Sequence, residues 1–316
     1  MTNIAMRPVS LKSKIFLDSG DPAETREAIR LLGFLDGQTT NPSLIAKNPE
    51  IKARLDRGRR LSRAEADRFY RAVVEEVSRL IPNGSVSIEV YADRNTTTEQ
   101  MLAEGSEKFT WIPNAHIKYP TTAEGLRAAR ASIDRGMRVN MTLCFSQQQA
   151  AAVYVSTAGA PAGSVFVSPF VGRLDDIGEN GMELIKNILE MYRTWEIQVE
   201  PEGRNPEPGR RVEVLTASVR SLNHLLYTIQ LGSHIITAPL KVLKEWAAAG
   251  MLLPGNDGKL PGNENDFRYD AGALKSTPYD PIELGTDWST FNLAHPLTDK
   301  GIEKFAADWN AIIARE

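Results

Sequence analysis

Ala115-His116-Ile117-Lys118-Tyr119-Pro120 is a short, largely apolar run with one lysine inside it. A β-strand ending near the proline is the expected local structure. A lysine is out of place there, because its ammonium is costly to bury and its β-propensity is poor. Two readings of Lys118 follow. On a solvated face it is an ordinary surface charge. In a desolvated interior it is a candidate for Schiff-base chemistry, because burial favours the neutral, nucleophilic form of an amine.

Seven more apolar runs bounded by turn signals flank this one, at 14–17, 35–39, 86–91, 138–143, 164–168, 212–217 and 234–237. Most of the segments between them read as helices. Asp21 is placed to cap a helix with Pro22 at its first position, Glu24 to supply a capping-box acid, and Gly33 to end it. Thr121 and Glu124 suggest a second capping box, followed by Leu126, Ala129, Ile133 and Met137 on one face. Eight strands alternating with helices predict an α/β fold, a closed parallel (β/α)8 TIM-type barrel spanning 1–316 as one domain. An open doubly wound sheet is the alternative, but no G-x-G-x-x-G follows the first strand. Insertions are expected near 48–84, 198–211 and 251–297. The last is rich in Gly, Pro, Asn and Asp, and admits two readings, a surface excursion or a lid over the barrel mouth. The stretch 298–315 reads as an amphipathic helix with Ile302, Phe305, Trp309 and Ile312 on one face.

Of 316 residues, 42% are hydrophobic, enough for a substantial core. A net charge of -3 argues against nucleic acid or an anionic membrane as the main partner, while leaving room for a local phosphate site. Cys144 is the single cysteine, so no intrachain disulfide forms, and a buried inert thiol is expected. Neither a secretory leader nor a bilayer-spanning run is visible, so a cytoplasmic enzyme is expected.

Near the C-terminal ends of the predicted strands lie Asp18, Asn41, Glu89, Lys118, Thr142, Ser168 and Ser218. In a barrel those ends converge on one mouth, where such folds do chemistry. Asp18, Asn41 and the serines also suit helix caps. Caps alone, however, would not select one lysine and two acids. Arg173 and Arg220 stand just beyond two strand ends, either as surface charges or as a clamp for a phosphate.

The blocks Leu17-Asp18-Ser19 and Asp36-Gly37-Gln38-Thr39-Thr40-Asn41-Pro42 resemble the opening signatures of the transaldolase family. Ile117-Lys118-Tyr119-Pro120 resembles its Schiff-base lysine segment. Asn140-Met141-Thr142-Leu143-Cys144-Phe145, Ser168-Pro169-Phe170-Val171-Gly172-Arg173 and Ala217-Ser218-Val219-Arg220 are similar to further blocks in the family's order. Ser19, Gln38, Val219 and Ser221 depart from the common pattern. The resemblance implies a barrel enzyme with no metal or organic cofactor, acting on sugar phosphates, as a monomer or a homodimer. It implies Lys118, Asp18, Glu89 and Thr142 as catalytic residues, and Thr39, Asn41, Ser168, Phe170, Arg173, Ser218 and Arg220 as substrate-binding ones. The family also contains fructose-6-phosphate aldolases, which release dihydroxyacetone without an acceptor. Glu89 and Phe145 are similar to the transferases at the positions that separate the two groups. A catalytically weak sugar-phosphate binder is the remaining alternative.

Overall fold

The predicted strands pair in chain order, all parallel, and the eighth closes on the first through Ile15 opposite Ile236. The computed structural model describes residues 6–199, 212–255 and 267–314 of the protein. The strands are β1 (Lys14–Asp18), β2 (Gly37–Thr39), β3 (Ser85–Glu89), β4 (Ala115–Pro120), β5 (Val139–Cys144), β6 (Val165–Pro169), β7 (Glu213–Thr216) and β8 (Ile235–Ala238). This is the expected (β/α)8 barrel, and the β1–β8 pairing excludes the open sheet. Three strands are shorter than their apolar runs, β7 by one residue at each end. β2 begins two residues into its run, at Gly37, and ends with it at Thr39, just before Asn41-Pro42 opens a helix, since proline removes a donor and restricts the residue before it. β3 stops at Glu89, beyond which Tyr91 N–H turns to the Glu104 carboxylate at 2.9 Å.

The helices are α1 (Pro22–Leu32), α2 (Pro42–Ala46), α3 (Pro49–Asp56), α4 (Arg63–Leu80), α5 (Thr98–Phe109), α6 (Ala123–Ile133), α7 (Gln147–Ser156), α8 (Val171–Asp175), α9 (Gly181–Val199), α10 (Leu222–Leu231), α11 (Leu240–Ala248) and α12 (Pro296–Ile312). Asp21 caps α1 by accepting from Ala23 N–H at 2.9 Å, and Gly33 ends it in the left-handed region at φ 76°. Glu24 does not complete a capping box there, because its carboxylate takes the Ser19 hydroxyl instead. α6 starts one residue later than expected. Thr122 accepts from Gly125 N–H at 3.1 Å, while Thr121 donates to the Thr142 carbonyl at 2.8 Å. Glu124 reaches across to Thr98 N–H at the start of α5, at 3.0 Å.

Within the 48–84 insertion only α3 is supernumerary, joining the short α2 before it. α4 is the β2–β3 crossover helix, packing Val73, Val74 and Val77 into the core. Of the insertion expected near 198–211, residues 198 and 199 end α9, and 200–211 lie outside the described residues. Of the 251–297 segment, the described part at 267–295 runs along the outer helices. Gln147 accepts from Asp280 N–H at 2.8 Å, Asn187 donates to Thr277 O at 2.8 Å, and Tyr269 stacks on Tyr227 at 4.5 Å. This strap delivers the chain to α12, which crosses the C-terminal mouth of the barrel. Thr298 donates to Leu143 O at 3.0 Å near one end of α12, and at the other Leu61 N–H donates to Ile312 O at 2.9 Å. Ile302, Phe305, Trp309 and Ile312 are all buried beneath it, as the amphipathic pattern predicted. Among the described residues no helix is long and apolar enough to cross a membrane.

Candidate active site

Residues two apart on a strand share a face, so each strand sends one residue toward the barrel floor and another toward its mouth. The floor is aromatic. Phe16 meets Phe166 edge-on at 6.1 Å, and His116 stacks on Phe166 at 4.0 Å. Gly37 makes room for Phe16, whose ring would lie 2.4 Å from a Cβ at that position. Two residues further along come Asp18, Thr39, Lys118 and Ser168, all polar. An aromatic floor beneath a polar mouth leaves the polar groups poorly solvated.

Lys118 is 3% exposed, which removes the solvated-face reading. Its strand neighbour across the sheet is Glu89, and the Nζ lies 2.8 Å from Glu89 Oε2 and donates to Thr40 O at 3.0 Å. The contact with Oε2 is close but poorly angled, and Oε2 accepts no well-directed hydrogen bond. Thr142 Oγ1 is likewise buried without a directed partner. Burial raises the Glu89 carboxyl above the usual carboxylate range, opposed mainly by the Lys118 charge. Glu89 can therefore exchange a proton with groups that a solvated carboxylate would leave alone.

Asp18 faces the cavity and accepts from Thr39 Oγ1 at 2.6 Å, and the Thr39 hydroxyl also contacts Thr237 Oγ1 at 2.6 Å. Desolvation raises its carboxyl too, against the Thr39 hydrogen bond and the charges of Lys118, Arg173 and Lys47. Ser168 donates to Asn140 Oδ1 at 2.7 Å, and Asn140 donates to Ser87 Oγ at 3.0 Å, so three strands are tied together behind the cavity. Of the residues with a capping alternative, only Asn41 caps a helix. Its Oδ1 accepts from Leu44 N–H at 2.9 Å while the side chain lines the cavity. Ser218 caps nothing and sits at φ 60°, a strained position at the mouth. Ser221 caps α10 instead.

A cavity of about 200 Å³ joins Asp18, Thr39, Asn41, Lys118, Ser168, Phe170, Arg173 and Ser218. Glu89 and Thr142 stand behind Lys118 rather than in its lining. Arg173 lies over the rings of Phe170 and Phe305, at 5.1 and 5.2 Å, and burial lowers its guanidinium, opposed most by the Glu89 charge. Arg220 is placed differently. It is half exposed and held by Asp176, with Nη2 2.5 Å from Oδ2, outside the lining. Phe145 is also outside it, stacked on His295 at 5.2 Å. No residue of 267–295 lines the cavity, so the described part of the long insertion is a strap and not a lid.

Sequence reasoning missed Lys47, Thr237, Lys304 and Phe305, which also line the cavity, as do Ser43, Leu44, Leu215 and Ala217. Lys304 and Phe305 come from α12, whose position over the mouth has no local sequence signal. Two of the departures from the family pattern hold each other: Gln38 donates to Ser19 O at 2.9 Å, and it accepts from Thr25 at 2.7 Å. Burial pushes the Cys144 thiol up to about 12, as expected of an inert thiol. A larger cavity, about 640 Å³, opens at the opposite end of the barrel around His116. Lys14 is paired there with Glu213 at 2.9 Å and Asp36 with Arg7 at 2.5 Å, while Arg138 is taken up by the carbonyls of Ala115 and Pro113, so size does not mark the site. Among the described residues no cluster of three or more His, Cys, Asp or Glu is arranged to hold a metal ion.

A family profile described as Transaldolase/Fructose-6-phosphate aldolase matches residues 15–316. Several curated proteins named "Probable transaldolase" are similar to this chain. That of Herpetosiphon aurantiacus is 34% identical over 299 residues, covering 95% of this chain and 96% of its own. That of Dehalococcoides mccartyi is 33% identical over 299 residues, covering 95% and 99%. That of Brucella ovis is 35% identical over 296 residues, covering 94% and 96%.

Proposed function

The chain belongs to the transaldolase/fructose-6-phosphate aldolase family, and from that membership and the surroundings of Lys118 we propose that it moves a dihydroxyacetone unit from a ketose phosphate to an aldose phosphate. The observation that carries the reading is a buried amine 2.8 Å from a buried carboxyl at the mouth of a (β/α)8 barrel. Lys118 passes a proton to Glu89 and attacks the ketone of a donor such as fructose 6-phosphate or sedoheptulose 7-phosphate. Glu89 returns the proton to the carbinolamine oxygen, water leaves, and a protonated imine forms as an electron sink. Asp18 takes the proton from the hydroxyl beside the bond that breaks. The bonding pair moves into the iminium, leaving an enamine on Lys118 and releasing an aldose phosphate. The enamine carbon attacks the aldehyde of the acceptor, Asp18 returns its proton, and hydrolysis of the new imine frees the product.

The raised carboxyls of Asp18 and Glu89 suit this work, since a general acid–base group acts best when its pKa approaches ambient pH. Thr142 Oγ1 is free to orient the water of imine formation and hydrolysis. Asn41 and Ser168 hold the donor hydroxyls, and Arg173 with Ser218 receives the phosphate.

Borohydride reduction in the presence of fructose 6-phosphate, followed by peptide mass mapping, tests the covalent step. The expected result is a three-carbon adduct on Lys118 that is absent from Lys118→Met, together with turnover that depends on erythrose 4-phosphate. No adduct on Lys118 would sink the mechanism. An adduct with turnover indifferent to the acceptor would assign the lyase activity instead.

A further inference from the structure

Glu89 stands at the end of β3, beside a strand that is already finished. β2 pairs with β3 from Gly37 opposite Ser85 as far as Thr39 opposite Ser87, after which the chain leaves for α2. On the β4 side the ladder continues, with Val90 N–H donating to Lys118 O at 3.3 Å. In a strand both backbone groups of one residue point to the same side. The N–H and C=O of Glu89 therefore face the place that β2 has vacated, and a buried unpaired backbone group is costly.

Two side chains stand where the missing strand would be. Tyr70, from α4, accepts from Glu89 N–H at 2.9 Å through its hydroxyl. Lys108, from α5, donates to Glu89 O at 2.9 Å. Lys108 is 3% exposed. Its ammonium lies 2.6 Å from Glu104 and 4.9, 5.5 and 5.9 Å from the rings of Tyr70, Trp111 and Trp309. The Tyr70 hydroxyl also contacts Thr40 Oγ1 at 2.6 Å, and the Thr40 carbonyl accepts from Lys118 at 3.0 Å. The segment that bears Glu89 and the amine it faces are thus held by one network.

We propose that Lys108 and Tyr70 are positioning residues that replace the absent strand and fix Glu89 at working distance from Lys118. This rests on the proposed transaldolase reading for its kinetic consequence alone. The groups that face Glu89 are Lys118 from β4, Arg173 from α8, Lys108 from α5 and Tyr70 from α4, with Glu104 paired to Lys108. Removing the Lys108 charge takes away one of the influences that lower the Glu89 carboxyl.

Lys108→Met removes the ammonium while keeping the stem, and Tyr70→Phe removes the hydroxyl while keeping the ring. Each folded variant should lose about tenfold or more in kcat, toward the ~10²-fold cost of an ångström-scale misplacement. The ketose-phosphate KM should stay within about twofold, because Lys108 and Tyr70 act behind the bound substrate. In Lys108→Met, ¹³C-NMR should show the Glu89 carboxyl titrating at higher pH than in the wild type, with Glu89→Gln assigning the signal. That titration needs no turnover, so it tests the network even if the wild type transfers nothing, which would count against the functional reading instead. A folded Lys108→Met in which Glu89 titrates as in the wild type overturns the proposal. Should that variant not fold, a folded Tyr70→Phe with unchanged kcat overturns it.

Discussion

At the residue scale, the two arginines beyond the strand ends are held differently. Arg173 is sandwiched between the rings of Phe170 and Phe305 inside the cavity, whereas Arg220 spends its charge on Asp176 at the rim. Losing one charge-assisted hydrogen bond costs about 1.5–3 kcal/mol. Arg173→Ala should therefore lower kcat/KM for fructose 6-phosphate by about 10- to 100-fold, chiefly through KM. The adduct on Lys118 should still form at high substrate, and a variant with unchanged KM would show that Arg173 does not meet the phosphate. Lys118 was legible because a lone cation interrupted an apolar run. Lys108 was not, because Glu104 and Lys108 stand four apart on a helix and read as an ordinary solvated pair. Its burial comes from Tyr70 and Trp309, 38 residues before and 201 after.

At the element scale, α12 was legible as a helix with one apolar face, but nothing local says what that face covers. It covers the working mouth. Gly301 sits where α12 crosses closest, and a Cβ there would lie 2.6 Å from Leu143 Cδ2 and 2.9 Å from Arg173 Nη1. Leu143 is buried, so its side chain has little room to retreat. Helix propensity alone predicts that Gly301→Ala stabilises α12 by about 1 kcal/mol. The contact predicts instead a displaced Arg173 and a severalfold rise in KM for phosphorylated donors, with kcat largely kept. Steady-state kinetics beside thermal unfolding separate the two, and a stabilised variant with unaltered KM would mean that α12 rides clear of the site. The caps of α1 and α6 were legible to within a residue. Thr122 displaces Thr121 as the α6 cap because Thr121 is drawn into the strand-end hydrogen bond with Thr142 O, a partner that sequence does not reveal.

At the scale of the whole molecule, the barrel floor sets a pH dependence of its own. His116 is buried against Phe166 with Ser85 and Gly163 on its ring nitrogens, and desolvation pushes it down from 6.5 to about 3. Between those values the unfolded chain binds a proton that the folded barrel refuses. Its contribution to stability is therefore lost as pH falls from 6.5, at up to about 1.4 kcal/mol per pH unit. The raised carboxyls of Asp18 and Glu89 work in the opposite sense, because the folded state holds their protons to higher pH than the unfolded chain does. Urea unfolding at pH 7, 6 and 5 should give a steeper acid loss for the wild type than for His116→Gln. Parallel slopes would place the acid sensitivity elsewhere.

The series of eight strands, the polar residues at their ends and the family resemblance were legible in the chain, because apolar runs, turn chemistry and short motifs are local properties written residue by residue. Only the closed barrel shows that Lys118 meets Glu89 within 2.8 Å, that Arg220 is held by Asp176 outside the cavity lining, and that α12 supplies Lys304 and Phe305 to that lining. It also decided that Lys108 and Tyr70 stand in for a strand that ends too soon. Those outcomes depend on which distant segments meet when the sheet closes, and no short stretch of chain carries that information.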